Sequence, residues 1–310
     1  MKGLHLSEKY FFEYGFDMLK RKFPAYADRV AAGLVGEGSD CFGYDDEVSR
    51  DHDWGPGFCF WLNAQDFKAI GDALQSEYEL LPRSFAGYTR VTTPQSGKRT
   101  GVFEINSFYA RFTGLAHTPE SLSEWRVLRD DFLAAATNGK VFSDPSGAFS
   151  KYREALKSFY PRDIRLKRIA ARCMSAGQSG QYNFTRCLMH KEYVAAHQAL
   201  GEFIKASISL VFLLNHRYMP FYKWMHRALQ GLPVLGQRLY PMFESLVFYD
   251  MHKSPEPLCE PVETIAKIII DEIRAQGLSD IKSDFLLDHG PAIHQKISNA
   301  DLRCQDVMSD

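Results

Sequence analysis

The sequence predicts an α+β protein, with a small mixed sheet domain over residues 1–125 followed by an all-helical domain over residues 126–310. Two observations carry this reading. In the first part apolar residues alternate as they do on strands, Phe58, Phe60 and Leu62 against Cys59 and Trp61. After about Trp125 the alternation gives way to helical periodicities over 162–176, 184–214 and 262–275. With 310 residues and 45% hydrophobic content, the chain is long enough for two cores.

The elements follow in order. Phe11, Phe12, Met18 and Leu19 recur near helical spacing within Ser7 to Arg21, and Pro24 closes the run, so an opening amphipathic helix is expected to cover one face of the sheet. Val30 to Val35 reads as a buried strand running into the tight turn Gly36-Glu37-Gly38-Ser39. Asp51 to Leu62 reads as a second strand kinked at Gly55-Pro56-Gly57. Asn63, with Asp66 three residues on, caps a helix whose inner stripe is Phe67, Ile70 and Leu74. Further strands are expected over 86–91 and 101–107.

Composition removes several classes of function. No apolar run approaches the roughly 20 residues of a bilayer span, and Glu8, Lys9 and Glu13 interrupt the apolar start that a secretory signal would need. The six cysteines contain no CxxC pair, which argues against a disulfide framework or a zinc site and for reduced thiols in the cytoplasm. Lys and Arg total 37 against 38 Asp and Glu, so no generic DNA binding is expected. GxxxxGK[ST], complete GxGxxG, HExxH and GxSxG motifs are all missing from the sequence.

The segment GEGSDCFGYDDEVSRDHDWG carries the chemistry. Gly38-Ser39 is followed, after eleven residues, by the pair Asp51 and Asp53. On a strand, residues i and i+2 share a face, so the two carboxylates would converge on a hard cation, Mg²⁺ or Mn²⁺. Gly38 would let backbone N–H groups approach a triphosphate, ATP or another NTP, and Ser39 would add a hydroxyl. An acceptor hydroxyl could then attack the α-phosphorus while pyrophosphate leaves. Asp45, Asp46 and Glu47 read instead as solvated or helix-capping loop residues.

This segment resembles the signature of the polymerase-beta-type nucleotidyltransferase superfamily, which includes aminoglycoside nucleotidyltransferases. Together with ATNGKVF, QSGQYNFTRC and FLLNHRYMPFYKW it resembles, over nearly the whole chain, an uncharacterised bacterial family of nucleotidyltransferase-like proteins. The resemblance implies a nucleotidyltransferase sheet domain beside a helical domain, and a third carboxylate on a neighbouring strand. Glu104 is the candidate for that base or third ligand, its alternative being an ordinary exposed strand glutamate.

In such relatives the helical domain helps to enclose the acceptor. Tyr182 and Arg186, four apart, would share a helix face, and Arg186 could grip a phosphate. Pro220 is expected as the first residue of a helix on which Lys223 neutralises phosphate charge and Tyr222 or Trp224 stacks on a base or sugar, unless these residues merely pack or snorkel. Arg162, Arg165, Lys167, Arg168 and Arg172 read as a solvated basic ridge. The acceptor, whether small molecule, protein or RNA, is not encoded in short motifs. The competing expectation is a non-catalytic nucleotide-binding or interaction protein on the same fold, with half of a toxin-antitoxin-like pair as one form of it. Arg186 and His190 have only three residues between them, fewer than the Arg-His spacing of the related helical ribonucleases.

Overall fold

A computed structural model describes residues 1–51, 53–91, 98–248 and 256–309, without the side chains of 256–258. The structure is mixed α+β and divides into two compact units, one of residues 1–119 and 132–158, the other of residues 120–131 and 159–310. Residue 125, where the sequence suggests a single crossing, falls inside a short stretch of the second unit, and the chain returns to the first for 132–158.

The first unit opens with helices α1 (Gly3–Tyr10) and α2 (Phe16–Lys22), joined by a π-helical turn (Phe11–Gly15). Strand β1 (Ala31–Leu34), a 3₁₀ turn (Val48–Arg50), β2 (Cys59–Leu62) and α3 (Ala64–Glu79) follow. The two-residue strands β3 (Ser84–Phe85) and β4 (Tyr88–Thr89) form a separate hairpin. Next come β5 (Gly101–Glu104) and α4 (Ile105–Thr113) and then, after α5 (Leu122–Val127) of the second unit, α6 (Asp130–Thr137), β6 (Lys140–Ser143) and α7 (Ala148–Lys157).

Four strands make the sheet in the order β5-β2-β1-β6, with β2 parallel to β5 and β1 antiparallel to both β2 and β6. The alternation of β2 sorts its side chains as the sequence predicts. Phe58, Phe60 and Leu62 join Tyr10, Phe11 and Leu74 in one core, while Trp61 stacks on Phe149 of α7 at 3.8 Å, beneath Phe108 of α4. Aromatic residues thus fill both faces, and such pairs add roughly 0.5–1.5 kcal/mol each beyond area burial.

Several elements depart from expectation. The strand read over 51–62 begins only at Cys59. Gly55, at φ +128, lies against the backbone of Arg90, which rules out a continuous extended run through it. The strand read over 86–91 is the tip of the short hairpin, and that over 101–107 ends at Glu104 because a helix starts at Ile105. Strand β6 was not foreseen, since KVFS lies among helical patterns. Phe12, grouped with Phe11, Met18 and Leu19 in the apolar pattern of the opening helix, is half exposed, whereas the other three are buried.

The second unit continues with α8 (Arg162–Ala176), a π-helical segment (Gly177–Phe184), α9 (Thr185–Met189), α10 (Tyr193–Leu214), α11 (Tyr222–Leu229), α12 (Gly236–Val247), α13 (Glu256–Ala275), α14 (Leu286–His294) and α15 (Ala300–Arg303). Pro220 is not the first helical residue, since Phe221 occupies the N-cap of α11. The basic ridge of α8 is largely internal, contrary to the solvated face expected. Arg168 and Lys167 are buried, and Arg165 donates to the Leu213 carbonyl at 2.9 Å. Arg168 donates to the carbonyls of Arg126 and Leu128 at 3.0 and 2.6 Å. These acceptors lie at the C-terminal ends of α10 and α5, where helices leave carbonyls unpaired and favour a cation. Among the described residues, no helix is long and apolar enough to cross a membrane.

At the start of α3 the amide N–H of Asp66 donates to Asn63 Oδ1 and Asn63 Nδ2 donates to Asp66 Oδ2, both at 2.9 Å. Asn63→Ala is expected to lower stability by about 1 kcal/mol, read as a shifted urea midpoint. An unchanged midpoint would show that this cap is dispensable.

Candidate functional site

The glycine turn leaves β1 and is held from two sides. Asn138 clamps Gly36, accepting its N–H at 2.9 Å and donating Nδ2 to its carbonyl at 2.7 Å. Gly139 N–H donates to the Cys41 carbonyl at 2.9 Å. Asn138 and Gly139 lie between α6 and β6, so the return of the chain at residue 132 is what fixes the turn. From the other side comes Arg99. Its Nε donates to the Glu37 carbonyl at 2.8 Å, its Nη2 to Asp40 Oδ1 at 2.6 Å, and its Nη1 to the Asp53 carbonyl. One guanidinium therefore joins both ends of the loop from Glu37 to Asp53.

Gly38 makes this possible. At φ +118, a Cβ there would sit 2.6 Å from Arg99 Cζ. The glycine read as leaving room for phosphate leaves room for a cation in the structure. Ser39 is partly buried, and its carbonyl accepts the N–H of Tyr44 at 2.8 Å.

Asp51 and Asp53 do not share a strand face. Asp51 is exposed and has helical dihedrals after the 3₁₀ turn, and Asp53 sits at φ +51, a left-handed conformation that aspartate tolerates better than most residues. His52 lies outside the described residues. Glu104 has a structural role, its carboxylate accepting the N–H groups of Asn106 and Ser107 at 2.9 and 2.6 Å as the N-cap of α4. Asp45, expected in solvent, is buried. It accepts the Gly3 N–H at 2.7 Å and the Trp54 indole N–H at 3.2 Å. Asp46 accepts the Ser49 N–H at 3.0 Å, while the N-cap position of the 3₁₀ turn is Glu47, whose side chain makes no cap bond.

A cavity of about 390 Å³ adjoins the turn. Asp40, Asp53, Arg90, Lys98 and Arg99 line it, with Gln75 and Tyr78 beside them. Glu79 lines it too, so three cations face three carboxylates, of which Asp40 is paired with Arg99 and Glu79 accepts from Gln75 Nε2 at 2.6 Å. Arg90 donates Nε to the Pro56 carbonyl at 2.7 Å and lies over the Tyr78 ring. Its Nη2 is buried with no hydrogen-bond acceptor among the described residues. A buried cationic donor of this kind calls for an anionic acceptor. Burial lowers the pKa of Lys98, and a bound anion would oppose that. Among the described residues no three His, Cys, Asp or Glu side chains converge as a metal shell. Mg²⁺ takes only one or two protein carboxylates when phosphate supplies the remaining oxygens, and of the two aspartates read as its ligands Asp53 lines the cavity while Asp51, exposed, is not among the lining residues.

The sequence reading missed Asp40, Arg90, Lys98, Arg99 and Asn138. The only local signals were the dibasic Lys98-Arg99 just before β5 and the Asn138-Gly139 turn. Arg186, Tyr222 and Lys223 lie in the second unit, all exposed. The Arg186 guanidinium sits 5.2 Å from the Tyr182 ring centre, as their spacing predicts, and Lys223 Nζ sits 4.5 Å from that of Trp224.

Two outcomes follow from this geometry. Arg99→Ala leaves Asp40 buried without its charge partner and is expected to cost about 3 kcal/mol. In a double-mutant cycle with Asp40→Ala the loss should be well below additive, and strict additivity would mean the pair is not coupled. Burial pushes the Cys59 thiol from its ordinary 9.0 up to about 12. Its folded state therefore favours the protonated form, a contribution complete below pH 9 and lost as pH rises toward 12. Thermal unfolding compared at pH 8 and pH 10.5 should show a smaller alkaline loss in Cys59→Ala than in the parent.

The family described as Domain of unknown function (DUF4037) matches residues 125–225. No curated protein and no solved structure matches the chain significantly. The chain is thus similar, over a segment that includes α8, α9 and α10, to a family without an assigned activity.

Proposed function

We propose that the chain is a Mg²⁺-dependent nucleotidyltransferase of the polymerase-beta type, transferring a nucleoside monophosphate from an NTP, ATP in the first instance, to an acceptor hydroxyl. The observation that carries this reading is the gathering of Asp53, Arg90, Lys98 and Arg99 around one cavity beside the Gly38 turn. Arginine forks and a lysine ammonium suit a triphosphate, each charge-assisted bond being about twice as strong as a neutral one. Asp51 and Asp53 would hold Mg²⁺ or Mn²⁺, which supplies neutralisation of the phosphate charge. The acceptor oxygen bonds to the α-phosphorus, the bond from that phosphorus to its bridging oxygen breaks, and pyrophosphate departs while the hydroxyl proton is lost to solvent. Glu104, engaged with two amides of α4, is left out of the reaction. Six free cysteines suit a reducing cytoplasm, where NTP is abundant.

A second reading, nucleotide binding without transfer, is favoured by one observation. Asp51 and Asp53 lie on a turn and not on a strand, which weakens the fixed convergence that catalysis demands.

Purified protein incubated with α-labelled ATP, Mg²⁺ and cell extract should pass label to a product, and Asp51→Asn and Asp53→Asn should reduce transfer by at least about 100-fold. Tight Mg-ATP binding with no labelled product would select the second reading. Failure to bind any NTP would remove both.

A further inference from the structure

We propose that the second unit contains its own binding site, for a small organic anion that carries a planar ring. A cavity of about 510 Å³ is built there, within the usual size of small-molecule sites. Its lining combines two kinds of surface. Arg126, Arg172 and Lys205 supply positive charge, and Met219, Phe221 and Tyr222 supply apolar and aromatic surface.

The charge balance points to an anion. The two acidic residues of the lining are committed to arginines. Arg129 holds Asp131 by a fork at 3.0 and 2.7 Å, and Asp130 pairs with Arg168 at 3.7 Å while accepting the Tyr160 hydroxyl at 2.7 Å. Arg126 and Lys205 have no acidic partner among the described residues. Arg172 is held in place by a bond from its Nε to Ser209 Oγ at 3.2 Å. The cavity therefore carries net positive charge, and the acids that might quench it are already occupied.

The ring requirement comes from the aromatic pair. Tyr222 is 69% exposed and Phe221 42% exposed, with ring centres 4.4 Å apart. Two large rings left open beside a cationic wall provide a stacking platform, and neither half of the lining alone accounts for the other. The supports are firm. Arg168 is buried and fastens the backbone of Arg126 and Leu128, while Arg172 and Lys205 stand on the packed helices α8 and α10.

A nucleoside monophosphate and an aromatic carboxylate share this chemistry, and calorimetric titration of the full chain with AMP and with benzoate separates them. At least one should bind. Arg126→Gln combined with Lys205→Gln should weaken it at least about tenfold, Tyr222→Ala severalfold, and Tyr222→Phe should leave it intact because the ring remains. Asn63→Ala in the first unit, at a position that lines neither cavity, should not change it. Binding of neither probe, binding indifferent to the unit-two variants, or binding weakened as much by Asn63→Ala would overturn the proposal. The site is independent of the transferase reading. ATP binding retained in the Arg126/Lys205 variant, or AMP binding retained when ATP is not bound at all, tells the two apart.

Discussion

The ion pair between Arg99 and Asp40 is the contact on which the rest of the first unit's loop architecture leans. Both side chains are largely shielded, Arg99 at 16% and Asp40 at 6% exposure, so each would be costly alone and each is tolerated because of the other. Arg99 then uses its remaining donors on the carbonyls of Glu37 and Asp53, which turns a charge requirement into a geometric one. The loop cannot drift without stripping a buried cation of its acceptors. That constraint sets where Gly38 and Asp53 lie, and with them the cavity.

The core was legible from the sequence because it obeys simple periods. Phe58, Phe60 and Leu62 alternate, and Asn63 with Asp66 three residues on marks the start of α3. The site was legible only in part. Gly38 and Asp53 could be singled out from a short motif, but their partners Arg90, Arg99 and Asn138 come from segments distant in sequence, and no spacing rule relates them. The misread strand over 51–58 has the same origin. The alternation over 58–62 suggested a strand reaching back to Asp51 through a kink at Gly55-Pro56-Gly57, and the packing of Gly55 against Arg90, a tertiary fact, stops it short at Cys59 instead.

The arginines of α8 show a related limit. Helical recurrence of basic residues usually marks a wetted surface, yet Arg165 and Arg168 point into the unit and finish the carbonyl ends of neighbouring helices. Sequence periodicity reports which residues share a face, and it does not report what that face meets. Guanidinium groups thus organise both units, in one by tying a loop and in the other by sealing helix ends.

Strand β6 carries an implication for how the protein is made. It covers the outer side of β1, yet it is supplied by residues 140–143, more than a hundred positions after the strand it pairs with. During synthesis on a ribosome the nascent sheet exists for many seconds with the backbone of Ala31–Leu34 open along one border, a template for pairing with other chains. The small residues there, Ala31, Ala32 and Gly33, offer weak β-propensity and little sticky side chain, which blunts that hazard until the closing strand arrives.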